Sequence, residues 1–183
     1  AGKLTAAITG ITASQATDLT TDNNDDITVQ ISASEASAAD LTTVDSKTGV
    51  QVNAGSITNL TGSYTALNTL KGNANVSRPA AVTVTVDDNQ SGAQGVTNLN
   101  TLDDISTGVI TATLQNVTAA QAKDLAADTP VNAYTVILDT GTAAAADLNT
   151  INSRTTVAVD ADNITTITGT ATAQLLATAN NAQ

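Results

Sequence analysis

The 183-residue chain contains no cysteine, methionine, histidine, tryptophan or phenylalanine, and only two tyrosines and two prolines. Each absence removes a chemistry. Without cysteine or histidine there is no Ser-His-Asp or Cys-His nucleophile pair, no zinc site of the usual nitrogen and sulfur kind, no haem ligation and no disulfide. Catalysis by Asp, Lys or Ser alone is unsignalled, so no enzyme activity, no catalytic residue, no cofactor and no metal is expected. Basic residues are scarce as well: six Lys and Arg stand against seventeen Asp and Glu, a net charge of −11. That balance argues against nucleic acid and anionic membranes as partners. No apolar run approaches the roughly 20 residues of a membrane span, so membrane insertion is not expected. Residues 1–20 lack a basic start followed by an apolar block, and the chain reads as a mature, soluble protein.

What is present is narrow. Thr occurs 35 times, Ala 33, Asn 17 and Gly 11, while Val, Ile and Leu together number 40. About 22% aliphatic content lies only just above the level at which a charged chain stays disordered, so order has to come from pattern.

The pattern is a repeat of 106 to 107 residues. Ile27 to Ala66 aligns without a gap on Tyr134 to Ala173 with 19 identities in 40 positions, including Asp40/Asp147, Leu41/Leu148, Val52/Val159, Ile57/Ile164 and Gly62/Gly169. Lys3 to Leu19 aligns on Val109 to Leu125 one residue out of phase. A shorter period runs inside: Leu19, Leu41, Leu67, Leu99, Leu125, Leu148 and Leu175 mark seven rungs, at 3–25, 26–49, 50–80, 81–108, 109–132, 133–156 and 157–183. Residues 1–108 then form a first copy of four rungs, and 109–183 a second copy of three.

Each rung opens on alternating apolar and polar residues, as in Ile27-Val29-Ile31, Val50-Val52-Ala54, Val82-Val84-Val86, Ile110-Ala112-Leu114, Tyr134-Val136-Leu138 and Val157-Val159-Ala161. That period of two predicts strands with one buried face. Short Ala-rich stretches with helical spacing follow, and Thr12 with Gln15 and Thr118 with Gln121 fit the capping box that opens a helix. In rungs three and seven, Ile57-Leu60-Thr61-Gly62 and Ile164-Ile167-Thr168-Gly169 point to a second short strand or a corner before a shorter helix. A strand, a short helix and a return in about 26 residues cannot bury an apolar face alone. The expectation is therefore an α/β solenoid, one parallel β-sheet with short Ala-rich helices in about seven rungs of roughly 26 residues, running through 1–183 as a single domain.

Three features invite a functional reading. Asp160-Ala161-Asp162-Asn163 has the alternate-oxygen spacing that begins a calcium loop, but neither the Gly nor the bidentate Glu of an EF-hand follows, so solvated turns are the simpler expectation. Five Asn-x-Ser/Thr triplets, at Asn59, Asn75, Asn89, Asn116 and Asn163, are about what this composition produces by chance. Thr28, Thr83, Thr85, Thr111, Thr113 and Thr135 alternate with buried aliphatics and should face outward. Rows of Thr on a flat sheet can match an ice lattice, yet Gln30, Gln51, Asn53, Ile137 and Asp160 interrupt this one.

With Ala38-Ala39-Asp40-Leu41, Thr48-Gly49-Val50, Thr58-Asn59-Leu60-Thr61-Gly62 and Ala145-Ala146-Asp147-Leu148 in view, the chain resembles the long Thr/Ala-rich repeat regions of secreted surface or filament proteins of marine cyanobacteria. The resemblance implies an extracellular location, secreted or at the cell surface, and a structural or adhesive role. A structural subunit of a filament or surface layer is the leading expectation. The alternative is a binding module: an adhesin fragment, a polysaccharide binder or an ice binder. A polysaccharide lyase is disfavoured because Lys3, Lys47, Lys71, Arg78, Lys123 and Arg154 are scattered over the rungs, and only Tyr64 and Tyr134 could form sugar platforms.

The count of rungs, four and then three, suggests where such a subunit joins itself. The rung at Val157 to Thr178 lacks the cover that 81–108 gives its counterpart, and the amino end opens directly on the strand pattern Leu4-Ala6-Ile8. The chain is expected to form a homopolymer head to tail, with Leu4, Ala6, Ile8, Val157, Val159, Ala161 and Leu175 at the interface.

Overall fold

A computed structural model describes residues 2–171. It is a mixed α/β structure of parallel sheets and short helices, and it divides into two compact units. One comprises the residues up to Thr85 together with Asp104–Gly108; the other comprises Val86–Asp103 and the residues from Val109 onward. The division falls inside the fourth rung rather than at the 108/109 copy boundary.

The first unit opens with β1 (Thr5–Ile11), α1 (Ala13–Ala16), β2 (Asp26–Ile31), β3 (Glu35–Ser37) and α2 (Ala38–Asp45). It continues with β4 (Val52–Asn53), β5 (Asn59–Gly62), α3 (Tyr64–Lys71) and β6 (Val76–Ser77), and β7 (Thr83–Val86) carries the chain into the second unit. There follow β8 (Gln90–Ser91), α4 (Gly92–Leu102), β9 (Ile110–Val117), α5 (Ala119–Ala122), β10 (Ala133–Leu138), β11 (Gly141–Ala144), α6 (Ala145–Asn152) and β12 (Ile164–Thr168). In the first unit β1-β2-β4-β6 form one parallel sheet, and β3 pairs with β5. In the second, β8 and β10 both pair with β9, and β11 pairs with β12. Paired residues lie 20 to 24 positions apart in sequence, as in Ile11 with Ile31 and Val52 with Val76.

The alternation predicted from sequence sets the buried faces. Ile27, Val29 and Ile31, Val82, Val84 and Val86, Ile110, Ala112 and Leu114, and Tyr134, Val136 and Leu138 are all buried. Helices close over them with Leu41 and Val44, Leu67 and Leu70, Leu99 and Leu102, and Leu148 and Ile151, each fully or almost fully buried. Their Thr residues remain compatible with helix because the hydroxyls donate back one turn, Thr42 to the Ala38 carbonyl and Thr150 to that of Ala146, both at 2.9 Å.

The repeat also reproduces an irregularity. Gly10 (φ 71°) and Asn116 (φ 51°), 106 residues apart, both take the left-handed conformation where the β1–β2 and β9–β10 registers slip by one residue. Gly and Asn are the residues that reach that region at least cost, so equivalent bulges survive a change of residue type.

A recurrent side-chain latch fastens one turn to the next. The Thr48 hydroxyl accepts from the Ile27 and Val50 backbone N–H groups at 3.0 and 3.2 Å and donates to the Ile27 carbonyl at 2.7 Å. Thr155 does the same with Tyr134 and Val157, at 2.9, 3.1 and 2.7 Å. Both hydroxyls thereby use one donor and two lone pairs in full. Asp25 accepts from the Leu4 N–H at 2.8 Å and Asn132 from the Ile110 N–H at 2.7 Å, while Ser106 donates to the Val82 carbonyl. Thr48, Asn132 and Thr155 are three of the four buried polar residues among those described, the fourth being Gln90.

Two expectations need correction. Val50-Val52-Ala54 yields only the two-residue β4, and Val157-Val159-Ala161 yields no strand, only a single bridge between Ile137 and Asp160. The cause is the same at both places: the Asn53 side chain accepts the Gly55 N–H at 2.9 Å and Asp160 accepts that of Asp162 at 3.2 Å, turning the backbone out of the sheet. Second short strands, expected only in rungs three and seven, also occur as β3, β8 and β11. These segments are too short and too polar or Ala-rich to show alternation, and their extended form comes from pairing with a neighbouring strand.

Tyr134 is buried, and the Asn132 side chain, which also donates to Asp128, reaches its hydroxyl at 2.9 Å. Burial first, then the charges of Asp128 and Asp103, push its phenol well above the ordinary tyrosine range.

Two predictions follow from these contacts. Thr48→Val should destabilise the protein by about 2 kcal/mol, since the buried Ile27 N–H and carbonyl and the part-buried Val50 N–H lose this partner. Thr48→Ser, which keeps the hydroxyl, should cost less than about 1 kcal/mol in the same urea melts. For Tyr134, only the unfolded chain ionises its phenol near pH 10, so stability is fully present below that value and declines as pH rises beyond it. In Tyr134→Phe, alkaline thermal melts should lose this component of the decline.

Candidate assembly surface

Among the described residues β1 is an edge strand, paired with β2 on one side only. Ala6 stands opposite Ile27 and Ile8 opposite Val29, so Leu4, Ala6 and Ile8 form a further apolar layer over the β2 core. That layer is open: Leu4 is 50% exposed, the only large hydrophobic side chain so placed among the described residues. Ala6 is exposed and Ile8 half-buried.

The repeat supplies an internal comparison. Leu4, Ala6 and Ile8 correspond to Ile110, Ala112 and Leu114 in β9, where the same layer is buried at 1%, 4% and 0% exposure. There β8 pairs alongside, Gln90 against Leu114, and α4 presses close: a Cβ on Gly95 would lie 2.8 Å from the Leu114 side chain. Asn100 of α4 also fastens to the turn after α5, accepting from the Ala126 N–H at 2.9 Å and donating to the Asp124 carbonyl at 2.8 Å. The open β1 layer is thus a face whose counterpart in the same chain is covered by a strand and a helix.

The remaining interface residues fall differently. Val159 is buried at 4% exposure, Val157 and Ala161 are half-buried, and Leu175 lies outside the described residues. Beside them β12 is mostly exposed, whereas Leu60 and Gly62 of the corresponding β5 are buried. The interface residues expected at 157–161 form no strand; the more exposed strand is β12, the second strand expected at 164–169, which follows the Asp160 turn. The identity of Thr58, Thr61 and Gly62 with Thr165, Thr168 and Gly169 was the available signal.

Lys3 meets Asp26 at 2.8 Å, beside a shallow acidic hollow lined by Asp22, Asn24 and Asp25. Asp147 is held by Lys123 at 3.2 Å. No group of three carboxylates that could hold a metal ion occurs among the described residues, and Asp160 and Asp162 spend their geometry on the turn. The outward hydroxyls do not make a lattice: Thr113 stands beside Thr135, but Thr111 stands beside Ala133. No helix among the described residues is long and apolar enough to cross a membrane. The chain matches no protein-family model, and no curated protein or solved structure shows significant similarity to it.

The internal comparison makes a direct prediction. At concentrations where the chain is monomeric, Ala6→Asp should change stability by less than about 0.5 kcal/mol. Ala112→Asp, at the covered equivalent, should cost several kcal/mol because its carboxylate is buried without a partner. Paired urea titrations of the two variants measure the difference.

Proposed function

We propose that the chain is a structural subunit of an extracellular filament or surface layer, a stack of α/β solenoid turns that joins to further copies head to tail. The observation that carries this reading is the open Leu4-Ala6-Ile8 layer, set against its buried counterpart Ile110-Ala112-Leu114. Parallel pairing at intervals of 20 to 24 residues supports the solenoid winding, since each strand then finds its partner one turn later. An edge strand with an apolar layer behind it is a template for further pairing, and repetition of a contact between two different faces gives an open polymer. The acidic, Thr-rich composition and the resemblance to secreted repeat regions support the extracellular setting. The buried Thr48 and Thr155 hydroxyls, which fasten backbone to backbone, support a structural role.

Negative-stain microscopy and sedimentation of the full chain in sea-water salt test the reading. Fibres that pellet, and that Ala6→Asp abolishes, are the expected result. Monodisperse particles at millimolar concentration would overturn it and favour a binding module instead.

A further inference from the structure

Resting on that assembly reading, we infer that the occupant of the β1 face is the β12 turn of a second copy of this chain, in the register that β5 gives β7, with Thr5 in the place of Thr83. Leu4-Thr5-Ala6 and Val82-Thr83-Val84 are the same pattern at the same place in a turn. Leu4 and Val82 are the residues held by the latches, through Asp25 and Ser106, and the threonine comes next. Within the first unit, Thr83 donates its N–H to the Thr58 carbonyl at 2.9 Å and its hydroxyl to the same oxygen at 3.0 Å, with the Asn59 side-chain oxygen at 3.1 Å.

Both halves of this contact have counterparts at edges left unpaired among the described residues, those of β1 and β12. In β1 the Asp26 N–H donates to the Leu4 carbonyl, which directs the backbone groups of Leu4 toward β2; backbone groups alternate along a parallel strand, so those of Thr5 and Ala7 face the unpaired edge. In the second copy Thr58 and Asn59 become Thr165 and Thr166, both exposed. Their setting is conserved in detail. Thr58 donates its hydroxyl to the Ser34 carbonyl at 3.1 Å, and Thr165 donates to the carbonyl of Gly141, the residue 107 positions after Ser34, also at 3.1 Å. By this equivalence the Thr165 carbonyl is assigned the part of the Thr58 carbonyl, acceptor for an incoming N–H. Behind it, Ile57 and Leu60 are buried while their counterparts Ile164 and Ile167 are half-buried, and Leu4 and Ala6 supply the aliphatic layer that Val82 and Val84 supply internally. A second copy fits this face because the chain already contains a joint of this kind once, between β5 and β7.

The chain has no cysteine, so engineered disulfides report the register without background. Thr5 and Thr166 are exposed, and Thr5→Cys/Thr166→Cys in the full chain should yield, on oxidation of assembled protein, a ladder of covalent multimers on non-reducing gels. Thr5→Cys/Thr168→Cys, displaced two residues (about 6.6 Å) along β12 in addition to the strand spacing of about 4.8 Å, puts the Cα atoms about 8 Å apart, exceeds disulfide reach and should give at least about tenfold fewer multimers. Equal ladders from both pairs, or fibres with a ladder from neither, overturn the register while leaving the assembly reading standing. A product no larger than a dimer from Thr5→Cys alone means that two β1 edges pair with each other, and a disulfide closed within one chain means the faces meet intramolecularly; either overturns the inference. Absence of fibres at any concentration overturns both readings together.

Discussion

The structure depends on one constraint: backbone edges of successive parallel strands must be satisfied in a chain with almost no aromatic side chains to hold the segments together. The answer is a short polar side chain that reaches back 21 to 24 residues to the start of an earlier strand. Thr48 and Thr155 do this with a hydroxyl used to capacity, Asp25 and Asn132 with a side-chain oxygen, and Ser106 with a hydroxyl donated to Val82. Asp25 and Asn132 sit immediately before β2 and β10, so regular pairing begins at once, whereas after Thr155 only a single bridge forms. Gly108, two residues after Ser106, shows how tight the return to the next strand is: a Cβ there would lie 2.3 Å from the Val82 carbonyl oxygen.

Once the turns are fastened, a thin aliphatic core is enough. Val, Ile and Leu on the strands meet Leu, Val and Ile on the helices, and Ala at Ala16, Ala38, Ala122 and Ala145 lets the helices lie close. Threonine then serves opposite purposes by position: in helices it bonds back to the preceding turn, at latch positions it joins two turns, and on outer strand faces it is simply exposed. Few long-range charges are needed, and the ion pairs present are mostly exposed ones that contribute little to stability.

The same economy explains the open surface. A layer of Leu, Ala and Ile stacked on a strand is core only when something lies on its other side. In β9 something does, and the layer is dry; in β1 nothing among the described residues does, and an identical pattern becomes surface. A repeated fold thus carries its own reference state, in which one copy shows what the other has exposed.

The sequence by itself determined the repeat, the parallel α/β character, the inward faces of most strands and the Thr12 capping box, because each is a matter of local periodicity or short-range hydrogen bonding. It did not reveal β3, β8 or β11, whose extended form exists only through pairing with a neighbour. Nor did it reveal the early end of the strand at Val157-Val159-Ala161, where the Asp160 side chain competes for the backbone. The latch was visible only as an unexplained identity of Thr48 with Thr155, since its meaning lies in contacts 21 residues away. Exposure was beyond the sequence altogether. Leu4-Ala6-Ile8 and Ile110-Ala112-Leu114 read alike along the chain, and only the tertiary structure, by placing β8 and α4 against one and leaving the other at an edge, decided which is core and which is surface.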